Sequence, residues 1–371
     1  MKKLVLLGGG HAHVHVLKTL IEQPLPDTAV TLITPYARQV YSGMLPGWIA
    51  GHYDIEDCVI PLAPLAAAAG VRLVQSAATG IALDARHVDC DNGERICFDL
   101  LSIDSGSVAS VAAIAGAREH ATAVRPIEHF IDVITALKSR MSVHRDMPIR
   151  ITVVGAGAGG VEVALALQFA GRRADRDEPA CVVTLVSAAD TLPGSVGPRI
   201  VRSLRAAGVT LLSGVAATGI DPDVVKVTSG RTLTSEVTIV ALGAAAAPWP
   251  AKSGLTCDAQ GYIVTNAYLQ SVSHPNVFAV GDCAAMRDFK RPKSGVYAVR
   301  AGPPLAENLR RALNAEPLAF YAPRARSLYL ISIGRQHAIG SWGPLSWEGA
   351  WVWRWKDRID RAFVAKYRLA E

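Results

Sequence analysis

Twice in this chain an apolar run the length of a strand breaks into glycines and resumes as a helical pattern. A chain built that way folds as an α/β protein with doubly wound sheets. Leu4-Val5-Leu6-Leu7 leads into Gly8-Gly9-Gly10 and on to His11-Ala12-His13. Ile151-Thr152-Val153-Val154 leads into Gly155-Ala156-Gly157-Ala158-Gly159-Gly160, then Val161-Glu162. Glycines at such a turn let the first backbone N–H groups of the helix approach a pyrophosphate, and the helix dipole favours negative charge there. Gly155, Gly157 and Gly160 satisfy the full G-x-G-x-x-G spacing. At the first turn Gly8 and Gly10 fit, but His13 stands at the third glycine position. Helix and strand must then pack less tightly, or the imidazole must point away. A third signature, Val277-Phe278-Ala279-Val280 followed by Gly281-Asp282, puts a carboxylate at a strand end, where it either caps a helix or meets a ligand hydroxyl. The ordered trio implies two dinucleotides in one chain, one of them a flavin, and hence an electron-transfer enzyme.

Residues 1–34 read as strand, turn, helix from His13 to Ile21, a break at Pro24 and Pro26, and a strand over Ala29–Ile33. The second unit starts at Ile149, with a helix over Val161–Ala170, a strand over Val182–Val186, a helix at Ser203–Ala207 and a strand at Val209–Leu212. Further apolar runs end at Gly106 and Gly243. This order predicts two Rossmann-like dinucleotide-binding domains, the second inserted in the first. Residues 1–115 and 259–320 form the flavin domain, 116–258 the nicotinamide domain, and 321–371 a small C-terminal region. Asn92-Gly93, among Asp84, Asp89, Asp91 and Glu94, signals a solvated hairpin.

Residues 1–10 have a basic start and a short apolar run, but the run ends at glycines with no cleavage site after it, so it reads as a strand rather than a signal peptide. No stretch approaches the roughly 18 uninterrupted apolar residues that a spanning helix needs. The six cysteines include no C-x-x-C pair, which points to a reduced, cytoplasmic setting. A formal charge of +6 leans toward anionic partners, dinucleotide phosphates or a lipid surface, and no motif supports nucleic acid. The acidic residue that would accept from ribose hydroxyls is missing after both second strands, where Thr34 and Ser187 stand instead. No arginine follows Ser187 to favour a 2′-phosphate, so NADH and NADPH both stay open.

From residue 1 to about 320 the chain resembles the flavoproteins with two dinucleotide-binding domains: type II NADH dehydrogenases, sulfide:quinone oxidoreductases, ferredoxin reductases and pyridine nucleotide-disulfide oxidoreductases. The motifs are GGGHAH, Asp104-Ser105-Gly106, GAGAGGVEVA, Ala241-Leu242-Gly243 and HPNVFAVGDCA. GGGHAHVHVL, YSGMLPGWIAGHY and PKSGVYAVRAGPPLAENL look like the flavoprotein subgroup found in some organisms fused to selenide, water dikinase, of which this would be a stand-alone version. The resemblance implies FAD along Gly8, Gly10, His11 and Ala12, with Thr34 at its adenosine ribose. The loop from Tyr41 through Ser42, Gly43 and Met44 to Pro46 would cover the isoalloxazine, Gly106 and Gly281 would border the cofactor, and Asp282 would hold the ribityl chain. Lys293, Tyr297 and Ala298 would lie near the ring, with a helix starting about Val296 aimed at its N1/O2 edge, where reduced flavin carries charge. Gly155, Gly157, Gly160, Ser187 and Gly243 would hold NADH or NADPH, with Glu162 beside the nicotinamide. Glu162, Lys293, Tyr297 and Arg300 form the implied catalytic group.

The chain also departs from these relatives. It lacks the redox cysteine pair of the disulfide reductases and the flanking cysteines of the sulfide enzymes, and Arg300 stands where type II dehydrogenases usually present glutamine. His11, His13 and His15 alternate, but on a helix His13 leaves the face the other two share, so no metal site is expected. Residues 346–368 read as an amphipathic helix with Trp347, Trp351, Trp355, Ile359 and Phe363 at four-residue spacing. It either docks on the protein's own body or lies peripherally on the inner face of a membrane. The expected activity is hydride transfer from NAD(P)H through flavin to a quinone or another small acceptor, and a homodimer is compatible with it. A redox step in selenium or sulfur metabolism, and a flavin-bound binding protein without catalysis, are the alternatives.

Overall fold

The computed structural model of the chain describes residues 1–143, 147–172, 178–192 and 195–369. Its first sheet is five parallel strands in the order Val277–Ala279, Leu100–Ile103, Lys2–Leu7, Thr28–Thr34, Arg72–Gln75. Leu4 to Leu7 are almost wholly buried, because a parallel sheet is covered on both faces and so reads as a continuous apolar run. Its edge strand Val277–Ala279 joins only after the chain has made an entire second sheet. That sheet is also parallel, ordered Thr122–Ala123, Val237–Val240, Ile149–Val154, Cys181–Val186, Thr210–Leu212. Each sheet is accompanied by a three-stranded antiparallel meander, Ala78–Ala82 to Arg95–Cys97 in one case and Ala217–Asp221 to Thr232–Thr234 in the other. One plan has been used twice. The first meander turns at Asn92-Gly93, with Gly93 at φ 83°.

The helices after the two glycine turns run His11–Glu22 and Ala158–Ala170, each starting earlier than the apolar pattern alone indicates. The expected short helix at 203–207 is the end of a longer one, Gly197–Ala207. Helix Gly295–Leu313 crosses His11–Glu22 at Gly302, where a Cβ would sit 2.7 Å from that of His15.

The C-terminal region is an antiparallel sheet, Leu328–Ile333, Arg335–Trp342 and Leu345–Gly349, followed by the helix Ala350–Tyr367. Residues 346–349 are therefore strand, a correction to the expected start of the tail helix. The helix docks through Val352, Lys356, Asp360, Val364 and Tyr367. Of the four-residue stripe, Phe363 packs against the body, while Trp351, Trp355 and Ile359 face outward, Trp351 being 52% exposed. Trp347, Trp351 and Trp355 stack in series at 6.5 Å between ring centroids. Among the described residues no helix is long and apolar enough to cross a membrane.

Candidate functional site

Asp104, at the end of strand Leu100–Ile103, organises the first glycine turn. A Cβ at Gly8 would lie 2.4 Å from its carbonyl oxygen, one at Gly10 2.3 Å from its carboxylate and one at Gly281 2.6 Å from Oδ1. Three glycines from two motifs thus make room for one residue, Gly8 for its backbone and Gly10 and Gly281 for its side chain. The carboxylate accepts the N–H groups of Ala12 at 2.8 Å and His13 at 3.2 Å, capping the helix. Burial pushes the Asp104 carboxyl up to about 7 against the pull of those two hydrogen bonds. The His13 imidazole does not point away, nor does it loosen the packing. It is fully buried, Nδ1 2.6 Å from the Gly8 carbonyl and Nε2 2.7 Å from Ser102 Oγ. Burial pushes it down to about 4, so it is neutral, donating from Nδ1 to the carbonyl and accepting at Nε2 from the serine. The histidine ties strand, turn and helix together where a glycine was expected.

In front of this turn lies a cleft of about 560 Å³, bordered by Gly8, Gly10, His11, Thr34 and Ser42 on one side and by Gly106, Asp282 and Ala298 on the other. Thr34 is buried, its Oγ1 accepting the Tyr36 N–H at 3.3 Å. Asp282 is paired with Arg125 at 2.9 Å, and the same guanidinium donates to Ser107 Oγ. Arg125 also lines the cleft, and no sequence pattern singled it out. His11 Nδ1 faces the Gln39 side-chain amide at 3.5 Å, so Nε2 carries the proton, and that enclosed N–H has no acceptor. An unsatisfied donor beside a glycine turn, in a cleft of about 560 Å³, fits a dinucleotide such as FAD. Gly43 and Met44 lie behind the cleft surface. The Gly43 carbonyl accepts Lys356 Nζ at 2.6 Å, Met44 is fully buried, and Tyr41 stacks on Phe363 at 4.4 Å.

At the second turn the glycines divide their work. Gly155, at φ 110°, lies where a Cβ would come within 2.6 Å of the Ala241 carbonyl, and at Gly160 it would come within 1.8 Å of the Gly155 carbonyl. These two let helix and strands pack. Gly157, Gly159 and Gly243 face open space, leaving room for phosphates at the start of the Ala158–Ala170 helix. Ser187 is buried, its hydroxyl donating to the Ala189 carbonyl at 3.0 Å.

The four residues of the implied catalytic group are not brought together. Lys293 and Tyr297 line a neighbouring cavity of about 650 Å³ that meets the cleft at Asp282 and Ala298, and Gly281 borders it. Lys293 Nζ sits 3.9 Å over the Tyr262 ring and donates to the Ala284 carbonyl. Arg300 donates to Ser327 Oγ at 3.0 Å and, like Val296, lines neither cavity. Glu162 accepts the Ser332 N–H at 2.8 Å, and desolvation pushes its carboxyl up to about 7, with Lys356 opposing and Asp360 reinforcing the shift. Lys356 and Asp360 form a buried ion pair on the tail helix. Sequence reasoning missed both, because a Lys/Asp pair four residues apart reads as ordinary helix-surface charge. All six cysteines are free, and burial pushes Cys58 and Cys283 up to about 12, which leaves them as unreactive thiols.

Residues 2–302 match the pyridine nucleotide-disulphide oxidoreductase family, and the chain belongs to that family. It is an FAD- and NAD(P)H-dependent oxidoreductase. Ferroptosis suppressor protein 1 of Xenopus tropicalis is 27% identical over 369 residues, covering 91% of this chain and 88% of the relative. A type II NADH:quinone oxidoreductase of Staphylococcus aureus is 25% identical over 342 residues, covering 85% and 83%. The sulfide:quinone oxidoreductase of Aquifex aeolicus shares the fold with a TM-score of 0.82 at 21% identity, over 99% of this chain and 92% of the other.

Proposed function

We propose that this chain oxidises NADH or NADPH and reduces a quinone, with no redox-active disulfide in between. When bound, FAD would supply two-electron hydride-acceptor chemistry in the first cleft. Gly8, Gly10, His11, Ala12, Thr34, Ser42, Gly43, Met44, Gly106, Gly281, Asp282, Val296, Tyr297 and Ala298 are assigned to the flavin. Gly155, Gly157, Gly160, Ser187 and Gly243 are assigned to the nicotinamide cofactor, and Glu162, Lys293, Tyr297 and Arg300 to the catalytic group. The domains are assigned to residues 1–115 with 259–320, to 116–258, and to 321–371.

Within that assignment Arg125, paired with Asp282 at 2.9 Å, holds its carboxylate in place to accept from a ribityl hydroxyl, and His11 Nε2 donates to the dinucleotide. Reduction of a quinone by NADH consumes one proton from solution. Glu162, whose Oε1 accepts the Ser332 N–H and whose carboxyl is pushed up to about 7, can hold and release that proton at Oε2 near neutral pH. The outward Trp351, Trp355 and Ile359 of the tail helix, with Trp342 and Leu345 of the preceding hairpin, form an apolar strip suited to the interface of a membrane, which would place the protein peripherally on its cytoplasmic side.

The observation that carries the reading is the coexistence of an open second glycine cradle and a cleft lined by Asp282 and Arg125 in a chain whose cysteines are all unpaired. Steady-state oxidation of NADH and of NADPH with a panel of acceptors tests it. Short-chain quinones are expected to be turned over, and a flavoprotein that reduces sulfur or selenium species but no quinone overturns it.

A further inference from the structure

Helix Ala158–Ala170 offers its glycine end to the nucleotide cradle, and its other end borders an unrelated recess. This recess, of about 480 Å³, lies between that helix, helix Gly197–Ala207 and the C-terminal sheet. Its apolar lining includes Leu165, Phe169 and Ile333, and its polar lining includes Arg172, Arg202, Ser203, Arg335 and His337 against, among the described residues, a single carboxylate, Glu348. Glu348 is shared between Arg199 at 3.4 Å and Arg202 at 3.7 Å. Arg172 donates to the Ala206 and Ala207 carbonyls. Among the described residues the side chains of Arg335 and His337 have no hydrogen-bond or ionic partner. The recess therefore combines an apolar lining with cations in excess of their counter-charge, an arrangement that suits an amphiphile with an anionic head.

Position narrows the choice. Glu348 and Gly349 line the recess, while Trp347 precedes them in the chain and Trp351 follows two residues later, at the start of the outward aromatic strip. We propose that this recess holds the phosphate headgroup of an anionic phospholipid. Arg335 and His337 would contact the phosphate, Leu165, Phe169 and Ile333 the first methylenes, and the tryptophan strip the surrounding interface. The proposal rests on the membrane reading of that strip and adds to it a discrete site with a lipid preference.

Flotation of the FAD-loaded protein with two kinds of vesicle separates the two ideas, one of pure phosphatidylcholine and one of phosphatidylcholine mixed with phosphatidylglycerol. The wild type is expected to favour the mixed vesicles. Arg335→Gln is expected to lose about five-fold of that preference, the scale of one basic residue at an anionic surface, with binding to phosphatidylcholine unchanged. Trp351→Ser with Trp355→Ser is expected to weaken binding to both. Wild-type protein that floats equally with both vesicles, or an Arg335→Gln variant that keeps the full preference, overturns the headgroup site while sparing the membrane reading. Protein that floats with neither sinks both. Stabilisation by inorganic phosphate that Arg335→Gln abolishes, without any vesicle preference, assigns the recess to a free anion and also overturns the lipid site.

Discussion

The carboxyls of Asp104 and Glu162 are both pushed up to about 7 by loss of water around them, and the sign of the consequence is the same for each. A carboxyl whose pKa is higher in the folded than in the unfolded chain contributes stability that is fully present below the unfolded value, near 4, and lost as pH rises through about 7. Glu162→Gln keeps an acceptor for the Ser332 N–H and removes the titration. Its melting temperature should therefore fall less than that of the wild type between acid and neutral pH, and parallel profiles would refute the shift. Arg125→Met should weaken FAD retention about ten- to hundred-fold, the range for losing a charged hydrogen-bond partner, as read by fluorescence titration of the apoprotein. Unchanged affinity would remove Arg125 from the site. At this scale the glycines were legible because their spacing is local and their reason steric. Asp104, His13 and Arg125 were not, since each acts on partners that only the folded chain brings near.

Among the elements, the tail helix diverges most from its pattern. A four-residue repeat of large apolar residues marks a face without saying what that face meets, and here the inward face is the one carrying Lys356 and Asp360. Removing one member of a buried ion pair strands the other. Lys356→Met should therefore cost about 3–5 kcal/mol in urea unfolding, and adding Asp360→Leu should recover most of it. Equal destabilisation of the single and double variants would show that the pair is not coupled. The same helix reaches the Gly43 carbonyl through Lys356 and stacks Phe363 on Tyr41, so its loss should also weaken FAD binding, measured as flavin released from a chain ending at residue 349. Strand Leu345–Gly349 escaped notice because its alternation continues into the tryptophan stripe without a turn residue other than Gly349.

For the whole molecule, two glycine turns and a returning Gly281-Asp282 strand were enough to read an α/β chain with one parallel sheet made inside the span of another. Continuous apolar strands and glycine punctuation are long-lived signals in sequence. The approach of the tail helix to Glu162 and the 41–46 loop was not legible, because it depends on how the C-terminal sheet sits against the helix Ala158–Ala170. One chain is proposed to hold a flavin in the cleft before its first glycine turn and a hydride donor at its second. Anaerobic addition of NADH or NADPH to the purified yellow protein tests this directly by absorbance near the flavin band. The account predicts bleaching by at least one of the two nucleotides and recovery of colour on adding a quinone. A protein that takes up no flavin, or a bound flavin that neither nucleotide bleaches, would contradict it.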